Sequence, residues 1–374
     1  MRLRLSAVFL LLSALGVLPA AASDPYLVKD INPIPANVGS NPADFVSLAS
    51  GIVLFQAEAS GGSGPQLFRS DGSEGGTFRL IDDDYLVTVL GQATDRAFFF
   101  ARSTDSVFSR MGLWVTDGTK LGTLPLLEDV SLSGARPVWV ENRGLLFFIA
   151  SEGTHGLELW QTDGTPAGTR VVKDIVPGPG SSSPGQMTEF KGRLFFQADD
   201  GVNGPALWAT DGTEAGTRMV RDPWPGRADH SGPTSLRAAG SRLFFFAPAP
   251  GLGDELWVSD GTTRGTRPID LVPGPGSAQV FDLAPLGERL ALVLSTGRGQ
   301  ELWISDGTRA GTRALTDFKP GLPFGESPFL ARQPFGNRLP FLVNDGAHGF
   351  ELWITDGTRA GTRIVKDICP GECS

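Results

Sequence analysis

The sequence predicts an all-β protein: a seven-bladed β-propeller with four antiparallel strands per blade. Three observations carry that expectation. A motif recurs seven times at nearly constant spacing, apolar and aromatic runs of strand length recur inside every repeat, and turn-forming residues are abundant. The motif, Asp-Gly-Thr-x-x-Gly-Thr, starts at Asp71, Asp117, Asp163, Asp211, Asp260, Asp306 and Asp356, with Ser73 alone replacing the first Thr. Successive starts lie 46, 46, 48, 49, 46 and 50 residues apart, a period that marks repeat architecture. The 374 residues include 49 Gly and 28 Pro, which suits many short strands joined by turns better than long helices.

The chain begins with the three regions of a secretory signal: Arg2 and Arg4, an apolar run over residues 8–18, and the small residues Ala20 and Ala22. Cleavage is expected after Ala22. The run is shorter than the ~20 apolar residues that a spanning helix requires, and no later stretch approaches that length, so no membrane insertion is expected. Lys and Arg number 32 against 41 Asp and Glu, a formal charge of −9. That balance argues against a nucleic-acid partner and against anionic lipid surfaces. The expected organisation is a signal peptide over residues 1–22, then one propeller domain over residues 23–374.

Within a repeat, four strands can be placed in order. In residues 187–222, a first strand over 187–190 leads to a second over 193–198, whose Leu-Phe-Phe run suggests burial on both faces. A turn over 199–204 precedes a third strand at 206–210. The Asp-Gly hairpin follows, and a fourth strand at 217–221 runs into a Pro-Gly-rich link. Four strands in ~47 residues match a propeller blade, whereas β-helix and leucine-rich units are shorter, at roughly 20 to 30 residues. An apolar-aromatic pair precedes each motif: Leu67-Phe68, then a Leu-Trp pair ending at Trp114, Trp160, Trp208, Trp257, Trp303 and Trp353. Repeated large aromatics are expected to be buried at equivalent positions.

One strand is surplus. Tyr26-Leu-Val-Lys-Asp-Ile near the start mirrors Arg363-Ile-Val-Lys-Asp-Ile near the end. The two terminal strands are expected to meet where the ring closes, one completing the last blade and the other adding a fifth strand or lying beside it. Cys369 and Cys373 are then placed to close a small disulfide loop that pins the end in an oxidising compartment. Without nearby His they are poor zinc ligands.

Glu255-Leu-Trp-Val-Ser-Asp-Gly-Thr, Glu301-Leu-Trp-Ile-Ser-Asp-Gly-Thr and Glu351-Leu-Trp-Ile-Thr-Asp-Gly-Thr resemble the ELWxxDGT repeat of secreted bacterial proteins. The resemblance covers nearly the whole chain after residue 22, and the trailing Val-Lys-Asp-Ile belongs to it. Gln66, Gly112 and Ala206 stand where the Glu is expected, and Phe68 stands for Trp. The resemblance implies export and a propeller-like fold and brings no activity with it.

The Asp of each motif suits a carboxylate that accepts N–H bonds across its own turn, with glycines at positive φ. One carboxylate per loop is too few for calcium, which takes six or more oxygens, so no cofactor is expected. A resemblance to the Asp-box hairpins of other propellers points the same way. The imidazoles are His155, His230 and His348, each read as a surface-turn residue; no Gly-x-Ser-x-Gly or His-Glu-x-x-His string appears. Asp82, Asp83 and Asp84 read as a solvated acidic turn.

Alternation of strand direction sends the Asp-Gly-Thr hairpins to one side of the molecule. The turns between second and third strands, and the links between blades, go to the other. That second side carries the segments that vary: Asp199, Asp200, Trp224, His230, Asp345 and His348 are the candidate binding residues. The sequence thus points to a secreted binding or interaction module for an extracellular protein or polysaccharide. A secreted carbohydrate-active hydrolase or lyase and a structural envelope or matrix component are the alternatives.

Overall fold

A computed structural model describes Val28, Lys29, Ile31 and residues 39–370, except 60–63, 82–84, 94, 104–110, 134, 296–299, 317–328, 332–333, 346 and 369. The expected signal and cleavage site, the expected acidic turn at Asp82, and both Cys369 and Cys373 lie outside the described residues. Seven antiparallel sheets follow one another along the chain, each ordered first to fourth strand as in the sequence. Sheet 4, for example, comprises Gly185–Phe190, Arg193–Asp199, Pro205–Thr210 and Arg218–Arg221, within two residues of expectation. Sheets 1, 2 and 3 open with Ala43–Ser47, Tyr85–Ala93 and Val138–Val140. Sheets 5, 6 and 7 open with Thr234–Ala239, Gln279–Leu286 and Phe329–Leu330. In sheet 3 the first strand is split, and Ser131–Leu132 pairs further along the second strand, Leu145–Glu152. Among the described residues the helical structure is one 3-10 turn, Glu141–Arg143, and no helix is long and apolar enough to cross a membrane.

Each hairpin between third and fourth strands is closed by its own side chains. In the fifth, Thr262 donates to Asp260 Oδ1 from its amide at 2.8 Å and its hydroxyl at 2.7 Å. Thr262 Oγ1 in turn accepts Gly265 N at 3.0 Å, and Thr266 Oγ1 donates to Thr262 O. The hydroxyl-to-carboxylate bond recurs in all seven hairpins. These bonds, hydroxyl first, hold Asp211, Asp260, Asp306 and Asp356 below the usual carboxylate range. Both glycines are required. Gly261 has φ +96°, which favours glycine, and a Cβ on Gly265 would lie 2.1 Å from the Asp260 carboxylate.

A hairpin closed this way fixes the strand register, and the register places an aromatic pair across the second and third strands. Phe55 opposes Phe68, Phe99 opposes Trp114, Phe148 opposes Trp160, Phe245 opposes Trp257 and Phe341 opposes Trp353. Neighbouring residues of the second strand point to opposite faces. Phe196 therefore packs towards sheet 3 with Phe147, while Phe195 packs towards sheet 5 with Phe245 and Trp257. Six such cores join the seven sheets in sequence. First strands approach one another, as where Thr188 Oγ1 donates to Leu236 O at 3.1 Å, so the sheets fan out from a shared inner edge.

Among the described residues the apolar cores run from sheet 1 to sheet 7, and none unites the last sheet with the first. Of the N-terminal segment, Val28, Lys29 and Ile31 are described, and they lie outside the strands. Lys29 Nζ instead donates to Thr77 O at 2.7 Å, and Ile31 packs on Phe55 and Phe68 of sheet 1. Sheet 7 already carries its own fourth strand, Arg363–Lys366, which occupies the edge that the segment was expected to share. Of the six motif Trp, Trp160, Trp208 and Trp257 are buried, whereas Trp114, Trp303 and Trp353 are half-buried.

Trp257 is the most enclosed of them: it stacks on Phe245 at 5.8 Å, donates Nε1 to Ala247 O and lies beneath the Arg221 guanidinium. Trp257→Ala is expected to cost about 3 to 5 kcal/mol in chemical denaturation, from lost burial plus the cavity. Trp114→Ala, on a half-buried ring, is expected to cost less in the same assay.

Candidate functional site

The turns between second and third strands and the links between sheets lie together on one side. Leu157 N and Asp254 N, just past two such turns, donate to Ser181 Oγ and Ser277 Oγ of the links at 2.8 and 2.9 Å. The turns between first and second strands meet the Asp-Gly-Thr hairpins on the other side, where Lys191 Nζ donates to Asp260 O and Arg289 to Asp356 O.

The candidate residues fall into three groups on the first side. Asp200 accepts Val202 N at 3.0 Å, Asn203 N at 2.7 Å and Asn203 Nδ2 at 2.8 Å. Burial works against its ionisation, but these bonds outweigh burial and hold it low. Asp199 Oδ1 accepts Gly201 N. The second group is the link after sheet 4, where Arg227 lies over the Trp224 ring at 5.2 Å. His230, expected at the surface, has a side chain only 2% exposed; its Nδ1 lies 2.8 Å from Ser231 O and its Nε2 3.6 Å from Asp222 Oδ1. These two groups adjoin, since a Cβ on Gly204 would come within 2.6 Å of Ala228 O. The third group is the sheet 7 turn. Asp345 accepts Ala347 N and His348 N, and its Oδ2 lies 2.8 Å from His348 Nδ1. That contact raises the imidazole pKa, and the same bonds overcome burial to lower that of Asp345.

Asp200-Gly-Val-Asn203, Asp345-Gly-Ala-His348 and Glu152-Gly-Thr-His155 share one pattern, an acid bonded to the side chain three residues on. The same folding device therefore serves three of the seven turns on this side.

Two features escaped the sequence reading. The Glu preceding the Leu-Trp pair is buried and anchors the link that follows. Glu158 accepts Ser182 N at 3.0 Å and the Ser182 hydroxyl, Glu255 accepts Leu271 N at 2.7 Å, and Glu351 accepts Ile368 N at 2.9 Å. Desolvation, reinforced by Asp270, pushes Glu255 up to about 7. The signal was the repetition of Glu at one offset, discounted because Gln66, Gly112 and Ala206 depart from it.

The second feature is a cavity of about 330 Å³ between sheets 5 and 6, lined by Ser231, Thr234, Ser235 and Asp254 beside Phe246 and Val280. Ser235 stands at φ +57° at the bulge of the first strand, and its amide is held by Gln186 Oε1 at 2.9 Å. Hydroxyls of this kind carry no sequence mark, because nothing in their residue type separates them from turn formers. Among the described residues no cluster of three or more His, Cys, Asp and Glu is arranged to hold a metal ion.

No family model matches the chain, and no curated protein matches it. Similar solved structures include prolyl oligopeptidase B from Galerina marginata, at 11% identity and TM-score 0.48, covering 89% of this chain and 51% of that one. Puromycin hydrolase is similar at 17% identity and TM-score 0.41, over 88% and 53% of the two chains. TolB from Acinetobacter baumannii follows at 13% identity and TM-score 0.34, over 72% and 64%. The chain spans about half the length of the first two.

Two pH effects follow. A carboxyl with a folded pKa near 7 and an ordinary unfolded value binds more protons when folded, so its stabilising contribution is complete below the unfolded pKa and is lost as pH rises through 7. Glu255→Gln is expected to flatten the fall in melting temperature between pH 5 and pH 8. The His348 contribution runs in the same direction, present below the unfolded imidazole pKa and lost above the raised folded one. Because Asn203 fills the equivalent position in sheet 4, His348→Asn is expected to match the parent's melting temperature at pH 8 and fall below it at pH 5.5.

Proposed function

We propose that the chain is an exported, closed seven-bladed propeller that serves as an extracellular binding module for a polysaccharide partner. The resemblance to ELWxxDGT repeats and the signal-like N-terminus support export. The observation that carries the binding reading is the cavity on the variable side, where three hydroxyl residues and the Asp254 carboxylate stand beside the Phe246 ring. Hydroxyls and a carboxylate match the donor and acceptor pattern of a sugar, an apolar wall suits its C–H face, and about 330 Å³ is near the lower end of small-ligand pockets. The opposite side repeats one hydrogen-bonded hairpin seven times, which folding alone requires; a single asymmetric ligand needs residues that differ between sheets.

A glycan array on the purified protein tests the reading, followed by alanine substitutions on each side. Asp254→Ala and Ser231→Ala are expected to weaken binding to an array hit at least about tenfold, the scale of one lost hydrogen bond to a charged group. Thr165→Ala, on the hairpin side, is expected to leave it unchanged. Loss of binding from Thr165→Ala with stability intact, while the cavity variants bind normally, overturns the reading.

A further inference from the structure

A ring of seven sheets needs seven pairs of facing surfaces, and six are filled. The unfilled pair is visible on both partners. Leu67, Leu113, Leu159, Leu207, Leu256 and Leu302 stand at one position of the third strand and are at most 1% exposed, whereas Leu352 at that position in sheet 7 is 37% exposed. Leu342, Val365 and Ile368 on the same face of sheet 7 are 44%, 47% and 71% exposed. On sheet 1, Phe45 is 62% exposed, while Leu236, at the same register position in sheet 5, is 1% exposed. Each of the other sheets places its equivalent face against the next sheet, so the surface that fits sheet 7 is the rear of another sheet of this repeat.

Part of that rear surface is occupied. Where sheet 3 runs into sheet 4, Lys173 Nζ donates to Thr217 O at 3.4 Å and Ile175 packs with Phe196 and Trp208. Lys29 and Ile31 make the corresponding contacts with Thr77 O, Phe55 and Phe68 of sheet 1. The same Lys-Asp-Ile sequence ends sheet 7 as Lys366 to Ile368, with its isoleucine exposed.

We propose that the exposed face of sheet 7 docks on sheet 1 of the same chain, and that Lys366 and Ile368 there displace Lys29 and Ile31 from a seat that both segments fit. The C-terminal segment arrives as part of a sheet already paired through Ile354 and Arg363, and brings Leu342, Leu352 and Val365 into the contact with it. The N-terminal segment brings only itself. Tethering favours the chain's own first sheet over that of a second copy, and a head-to-tail contact between copies leaves the same two surfaces open at the ends of a chain of molecules. The inference rests on the closed ring proposed above and adds which terminus closes it.

The test has two arms on the chain expressed from residue 23, with Cys369→Ser and Cys373→Ser. In the first, Phe45→Cys and Leu342→Cys are treated with a short bis-maleimide. A cross-link within the monomer is expected; cross-links only between chains, or none, overturn the closed ring. In the second, Ile368→Ala and Ile31→Ala are melted separately. Ile368→Ala is expected to lower the midpoint by several degrees and Ile31→Ala to leave it unchanged. Any other pattern, including loss in both or in neither, overturns the exchange, and with an intramolecular cross-link in the first arm it leaves the ring standing.

Discussion

The arrangement depends on one carboxylate per sheet that takes both the amide and the hydroxyl of the residue two positions on. Because the bond closes within three residues, it draws no partner from elsewhere in the chain. With the turn fixed, strand pairing has no freedom to slip, and a slip of one residue would turn every aromatic side chain to the wrong face. Phe245 opposite Trp257, and its counterparts in the other sheets, are thus consequences of Asp260 and its equivalents. The long-range packing inherits its precision from a contact that is entirely local.

The opposite side is built less uniformly. Three of its turns use an acid held by His or Asn, and buried glutamates accept backbone amides of the segments that follow their sheets. A link anchored from beneath leaves its outer residues free to differ without unfolding the sheet. The cavity beside Asp254 and Ser231 lies where the link after sheet 4, whose sheet has Ala206 in place of that glutamate, meets the first strand of sheet 5. Scaffold and variable surface are therefore separated by strand direction, and either changes without the other.

The sheets were legible because their signals are local and repeated. Asp-Gly-Thr-x-x-Gly-Thr states a turn, and the Leu-Phe-Phe and Leu-Trp runs state strands on either side of it. Which terminal segment takes the closing edge was not legible, since Tyr26 to Ile31 and Arg363 to Ile368 are nearly the same string and sequence alone assigns neither to an edge. His230 was misjudged because a lone imidazole in a Pro-Gly-rich link gives no sign of the Asp222 beneath it. Ser231, Thr234 and Ser235 carry no mark in the sequence because the feature that joins them, a bulge with Ser235 at positive φ, is a property of the backbone.

The packing of each sheet against its immediate neighbours has a mechanical meaning. Among the described residues, apolar cores link consecutive sheets and none spans three of them. Under tension applied at the two ends, once the proposed contact of sheet 7 with sheet 1 has parted, load passes through these cores in series, and the weakest yields while the others hold. Each sheet that gives way releases a motif period of 46 to 50 residues, or roughly 160 Å of contour at about 3.4 Å per residue. The molecule is then a stack of separate fuses, lengthening by even steps and retaining on each intact sheet the hairpins from which it was assembled.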